Sequence, residues 1–269
     1  MTDRAQKKTL LVSNDDGYKS AFLRALVDVL CEDFEVFVVA PRDEQSWVGR
    51  AMSRSGVLEA ERLHDWPCEA WSVSGRPSDC VNVGLHHLLP KRPDAVVSGM
   101  NLGFNVTLPL TLGSGTVAAA TEGALAGLPA IAFSLSIPRD EFASVSKAHG
   151  QRGEGGDRLT RIAAGHAGRI TETILRGPHE PFVVHNINFP ADIREDSPLT
   201  QTTMTISEMP NLFRELEQSV DDRDKRRFTF EFASEWRHAY KPDHADIEAL
   251  KRGEISHTIL RWDILGKVE

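Results

Sequence analysis

Cysteine is scarce in this chain. Cys31, Cys68 and Cys80 are its only three, an odd number with no CxxC pair. That excludes a disulfide framework and a cysteine-based zinc site, and sets a reduced cytoplasmic setting as the expectation. A basic surplus is also missing. Lys and Arg total 31 against 39 Asp and Glu, for a net charge of −8 and a pI near 5.7. Such a balance argues against a nucleic-acid duplex or an anionic membrane as partner, because both attract basic surfaces. No apolar window approaches transmembrane length. The first eight residues are polar, and the apolar run after them is far shorter than a signal-peptide core. Internal repeats are absent. What remains, 269 residues with 41% hydrophobic and 26% charged side chains, is the composition of a soluble globular enzyme. We expect one α/β domain over 1–269.

The informative stretch is Leu10 to Gly17. A short apolar run, Leu10 to Val12, reads as a buried strand and stops at Ser13-Asn-Asp-Asp-Gly17. Two adjacent carboxylates after a buried strand repel one another and resist desolvation. A hard divalent cation with a preference for oxygen, Mg²⁺ or Mn²⁺, is the simplest compensation. Taken alone the same residues describe a solvated Asx turn, so their context decides.

That context is a doubly wound sheet. Residues 21–30 space Phe22, Ala25, Leu26, Val29 and Leu30 at a helical period, and Glu35 to Ala40 is a second buried strand closed by Pro41. Strand, helix and strand form a βαβ unit, and such sheets bind ligands beyond the carboxyl ends of their strands. Asp15 and Asp16 lie at one such end, and the loop from Pro41 to Gly49 at the next. Residues 57–73 read as irregular or antiparallel β structure, and Ser78 and Asp79 mark a helix start. A third strand, 94–98, runs into Gly99-Met-Asn101-Leu-Gly103-Phe-Asn105, which sets Asn101 to join the acidic pair. Gly113-Ser-Gly-Thr116 then precedes an alanine-rich helix, a plausible phosphate cradle at a helix N-terminus and equally a close-packed helix start capped by Ser114 or Thr116. Residues 128–134 are a fourth strand, 147–157 a mobile loop, 159–175 an amphipathic helix and 182–189 a strand near the sheet's edge. Beyond these, 200–240 mixes short β runs with a solvated charged turn at 221–227. Phe228, Phe230 and Phe232 alternate as in a hairpin strand. A short helix at 246–250 and a strand at 255–262 close the chain.

His86 and His87 are adjacent on a helix and point about 100° apart, so they are poor co-ligands for zinc. Cys80 reads as a small buried hydrophobe rather than a nucleophile. The first βα turn is Asn-Asp-Asp-Gly rather than glycine-rich, which disfavours a dinucleotide-binding oxidoreductase.

In order and spacing these segments resemble one family, the SurE-type (stationary-phase survival protein) nucleoside monophosphate phosphatases. The resemblance rests on Ser13–Gly17, on Val39-Ala-Pro41 with Gln45-Ser46, and on Gly75 to Cys80. It continues in Val97 to Asn101 with Gly103 and Asn105, Ser114 to Val117 with Glu122-Gly123, Asn186-Ile-Asn188 before Pro190, and Asp246 with Gly253 to Ser256. It implies a Rossmann-like, mostly parallel sheet with a C-terminal β-hairpin used in oligomerisation. It also implies divalent-metal-dependent hydrolysis of nucleoside 5′- and 3′-monophosphates. Carried over position by position, Asp15, Asp16, Ser46 and Asn101 would hold one Mg²⁺ or Mn²⁺ per subunit. Asn105, Ser114, Gly115 and Thr116 would face the phosphate. We expect Asp15 or the cation to orient the attacking water, with a covalent aspartyl-phosphate as the alternative. The segment 200–240 would serve a homodimer or tetramer. This chain departs from the family at Tyr18–Phe22, at Val106–Leu112 and at Arg76. We expect the first two to alter the rim of the site and bear on substrate preference. A nucleotide sensor of the same fold, without turnover, is the alternative.

Overall fold

In the computed structural model the described residues are 7–209, 211–220, 226–233 and 245–265. Strand β1 (Thr9–Ser13) is followed by α1 (Ala21–Asp33), β2 (Glu35–Pro41), β3 (Ala60–Leu63), β4 (Glu69–Val73) and α2 (Pro77–Val83). A π-helical turn, Gly84–Leu88, extends α2. Then come β5 (Ala95–Leu102), α3 (Leu108–Gly113), α4 (Gly115–Leu125), β6 (Ala130–Leu135), α5 (Arg139–Lys147), α6 (Glu154–Arg176), β7 (Val183–Phe189) and β8 (Leu199–Thr202). The hairpin β9 (Phe213–Val220) and β10 (Arg226–Phe232), α7 (Asp246–Lys251) and β11 (Ile255–Arg261) complete the order.

One sheet of nine strands runs in the order β3-β4-β2-β1-β5-β6-β7-β11-β8. Its six inner strands, β4 to β7, are mutually parallel. The edges are mixed: β3 is antiparallel to β4, and β11 antiparallel to β7. The Rossmann-like architecture with a separate hairpin is therefore as expected.

Alternation along β1 shows why this sheet must be covered on both faces. Leu10 and Val12 join the core beneath α1 and α6, while Leu11 packs with Val39 and Val96 against α2 and α4. Helix α1 presents Phe22, Leu23, Leu26, Val27 and Leu30 to the first of these layers, and Ser20 caps it by accepting from the Leu23 N–H. On the other face α4 is buried from Gly115 to Ala124. Small residues let it lie flat on the strands, and at Gly123 even a methyl group would meet Val96 Cβ at 2.5 Å.

Four expectations change. The strand 182–189 is interior, paired with β6 on one side and β11 on the other. Its buried asparagines are hydrogen-bonded within the protein, Asn188 to the Asn105 N–H and Asn186 to the Asn105 carbonyl. Residues 147–157 are not simply a loop. Helix α6 begins at Glu154, and Arg152 is buried with its guanidinium 2.9 Å from Glu141 of α5, a helix the polar composition concealed. The third strand continues to Leu102 through a register shift after Ser98, so Asn101 is a strand residue. Finally, Tyr18–Phe22 is not all rim: Phe22 is fully buried in the core and Ser20 is the α1 cap. The charged turn at 221–227 lies mostly outside the described residues.

Candidate active site

The site forms where β1, β2 and β5 end together. Asp15 and Asp16 leave β1, and each is fixed by a different neighbour. Asp15 is 4% exposed. Its Oδ2 accepts from the Thr116 backbone N–H at 3.0 Å, and its Oδ1 from the Thr116 hydroxyl. Asp16 Oδ2 accepts from the Leu102 N–H at 2.8 Å, at the end of β5. The carboxylates therefore tie β1 to α4 and to β5 respectively, across more than 80 residues of sequence.

Gly115 makes the first tie possible. A Cβ there would stand 2.7 Å from Asp15 Cβ and 3.0 Å from both Asp15 Oδ2 and Pro77 Cγ. Ser114 is the N-cap of α4, its hydroxyl accepting from the Val117 N–H at 3.1 Å. The positive end of α4 thus faces a buried carboxylate, a favourable arrangement for negative charge.

Burial raises the Asp15 pKa to about 6, with the two Thr116 bonds opposing the rise. Asp16 is pushed well above the ordinary carboxylate range, first by burial and next by the charge of Asp15. A third carboxylate, Glu44, raises both further. No lysine or arginine lies within ion-pair distance of Asp15 or Asp16 among the described residues. Asn14 Oδ1, next to the pair, is buried without a hydrogen-bond partner. This oxygen-only, cation-deficient cluster fits a hard divalent ion.

Loop 42–53 closes over the pair at four points. The Gln45 N–H donates to Asp15 O at 2.7 Å and the Gly49 N–H to Gly113 O at 2.9 Å. Arg50 reaches Glu122 of α4 at 2.6 Å, and Ser53 Oγ donates to Asp79 at 2.7 Å. Ser46 lies between the first two anchors, exposed, with its N–H bonded to Glu44. Asn101 is buried one residue before Leu102, with its Nδ2 on Gly103 O at 3.1 Å.

Asn105 is held on all sides. Its N–H donates to Asn188 Oδ1 at 2.7 Å, its carbonyl accepts from Asn186 Nδ2 at 2.8 Å, and its own Nδ2 donates to Ser134 Oγ at 2.9 Å. Asn186 and Asn188 are thus the polar β7 residues that shape the loop after β5. Asp246 does the same for the next residues, accepting from the N–H groups of Thr107 and Thr205 at 2.8 and 3.1 Å. Glu44 and Ser134 escaped the reading from sequence. Glu44 sits in a polar loop and Ser134 in an apolar strand, and neither carries a local signature. Cys80 is buried, which raises its thiol pKa and suits a packing role. His86 and His87 are exposed on the π-helical turn.

Fold and site together define a doubly wound α/β protein presenting an acidic pair at its strand ends. The family described as Survival protein SurE matches residues 10–210. A 5′-nucleotidase SurE of Methanococcus maripaludis is 33% identical over 96% of this chain and 94% of its own length. One from Archaeoglobus fulgidus is 32% identical over 97% and 94%. A 5′-nucleotidase SurE from a Geobacter species reaches 49% identity, over 47% of this chain and 49% of its own length. The crystal structure of the SurE protein from Aquifex aeolicus superposes with a TM-score of 0.70 at 27% identity, covering 96% and 95% of the two chains. This chain belongs to the SurE survival-protein family.

Proposed function

We propose that the protein is a divalent-cation-dependent phosphatase that releases phosphate from nucleoside 5′- and 3′-monophosphates. The observation that carries this reading is the adjacent carboxylate pair, desolvated and without a cationic side chain among the described residues, against the N-terminus of a buried helix. The relatives' shared description as 5′-nucleotidases supports the 5′-monophosphatase part of it.

Asp15, Asp16, Ser46 and Asn101 would hold one Mg²⁺ or Mn²⁺. When bound, the ion supplies Lewis acidity toward a phosphoryl oxygen and neutralises its charge. The protein's own part is positioning. Thr116 spends its N–H and hydroxyl on Asp15, so it acts by fixing that carboxylate rather than by meeting phosphate directly. Asp15 retains lone pairs on both oxygens and orients the attacking water, taking up its proton as the new P–O bond forms. The ester P–O bond breaks, and the nucleoside oxygen leaves with a proton from solvent. The start of α4, Ser114 and Gly115, and the rigidly held Asn105 stabilise the charge gathering on phosphate.

Exposed Phe213, Leu216, Phe228, Phe230 and Phe232 support a role for the hairpin in a dimer or tetramer. The functional test is phosphate release from a panel of nucleoside monophosphates with EDTA, Mg²⁺ and Mn²⁺ in parallel. Metal-dependent release is expected. Binding of nucleotide without release under every metal would replace this reading with the sensor.

A further inference from the structure

The loop that closes the acidic site carries a tryptophan in a conformation that disfavours it. Trp47 follows Ser46 directly and has φ +63°, in the left-handed region where a bulky side chain is strained and glycine is at ease. The strain is held from both sides, because Gln45 is bonded to Asp15 and Gly49 to Gly113. A residue kept there against its backbone preference is a reason to look for a use of its side chain.

The indole lies over the approach to α4. A Cβ on Gly113 would stand 3.2 Å from Trp47 Cε3, so glycine at 113 lets the ring settle on the backbone. Two residues on, Gly115 touches Asp15, and two residues span at most about 7 Å. Trp47 also meets Phe232 of the hairpin edge-on, with centroids 5.4 Å apart and planes at 61°. Trp47 remains 41% exposed, and Phe232 51%. An aromatic wall therefore stands against the residues that lead into α4, two positions before the glycine that packs on Asp15.

We propose that Trp47, steadied by Phe232, is the base-binding platform of the site, stacking the nucleobase while the phosphate lies at Asp15 and the start of α4. The proposal rests on the nucleoside monophosphatase reading and adds to it the element that recognises the nucleoside. A tryptophan face stacks on any base, so the preference it confers is for nucleotides over other phosphomonoesters rather than for one base. Pinning at Asp15, Gly113 and Glu122 keeps the ring in place before substrate arrives, which limits the entropy lost on binding.

The experiment compares the full-length wild type, Trp47→Gly and Trp47→Phe on AMP and on ribose 5-phosphate, which has the same ester without a base. Glycine relieves the left-handed backbone, so loss of folding does not confound it. Trp47→Gly is expected to raise KM for AMP about 5- to 150-fold, the range that about 1–3 kcal/mol of stacking per base converts to. Its kcat on AMP and its kcat/KM on ribose 5-phosphate stay near wild type, and Trp47→Phe recovers most of the loss. An unchanged AMP KM, or equal losses on the two substrates, overturns the platform. Equilibrium binding of AMP and of ribose 5-phosphate to wild type and Trp47→Gly decides the matter without turnover. Selective loss of AMP affinity supports the platform even if no phosphate is ever released, an outcome that would sink the phosphatase reading alone.

Discussion

Adding a single methyl group at Gly115 tests whether the contact between α4 and Asp15 governs the site. In Gly115→Ala the new Cβ would lie 2.7 Å from Asp15 Cβ and 3.0 Å from Oδ2, with Pro77 Cγ at 3.0 Å closing the other side. None of these atoms is the free end of a flexible chain, so Asp15 or the helix start must shift. Two effects on stability oppose each other. Alanine gains up to about 1 kcal/mol over glycine in a helix, and less in the first turn, where Gly115 sits. Forcing a methyl group into a packed site costs about 1–3 kcal/mol. The net is a destabilisation of roughly 0–3 kcal/mol by these two figures. That lowers Tm by at most about 12 °C, at roughly 2–4 °C per kcal/mol for a chain approaching this size. Activity is far more exposed, because a displacement of about 1 Å at a reacting group can cost about 100-fold. Phosphate release with saturating Mn²⁺, at a temperature where both proteins are folded, and thermal melting should together show a large loss of kcat beside a modest fall in Tm. Full activity in a folded Gly115→Ala would refute the claim that this contact sets the position of Asp15.

Two other perturbations act away from the carboxylate pair. Asp246 is fully buried and accepts from Thr107, Thr205 and the Ile247 N–H at 2.6–3.1 Å. In Asp246→Asn one of these acceptors becomes a donor facing donors, so we predict a loss of about 1–3 kcal/mol in denaturant unfolding, with or without added metal. His257 donates to or accepts from His185 at 3.0 Å, and burial, followed by the neighbouring imidazole, lowers its pKa to about 4. The unfolded chain then binds more protons as pH falls through 6.5, so this group's contribution weakens stability progressively down to about pH 4. Urea unfolding of His257→Gln across that range should show a shallower loss than wild type, and parallel profiles would deny His257 the role.

Much of the site was legible because its chemistry is local in sequence. Asp15 and Asp16 follow an apolar strand directly, and the strand-end rule for doubly wound sheets points to the loops after β2 and β5. What stayed hidden depends on long-range pairing. Thr116 looked like a phosphate donor until Asp15 was found to occupy both of its donors. The strand holding His185, Asn186 and Asn188 reads as near the sheet's edge, because nothing local announces its pairing with β6 and β11 or the partners its asparagines find around residue 105. Arg152 reads as loop, because nothing near it announces Glu141 as its partner. Trp47 carries no motif, and only its backbone angle and its place over Gly113 set it apart.

The most direct test of the central claim replaces Asp16 alone. Phosphate release from a nucleoside monophosphate should be measured for wild type and Asp16→Asn in EDTA, Mg²⁺ and Mn²⁺, with calorimetric titration of Mn²⁺ on both. The account predicts release by the wild type only with metal and one Mn²⁺ bound per chain. Asp16→Asn should bind Mn²⁺ at least about tenfold more weakly, about 1.4 kcal/mol, with activity largely lost. Wild-type release by Asp16→Asn, or undiminished release by the wild type in EDTA, would contradict it.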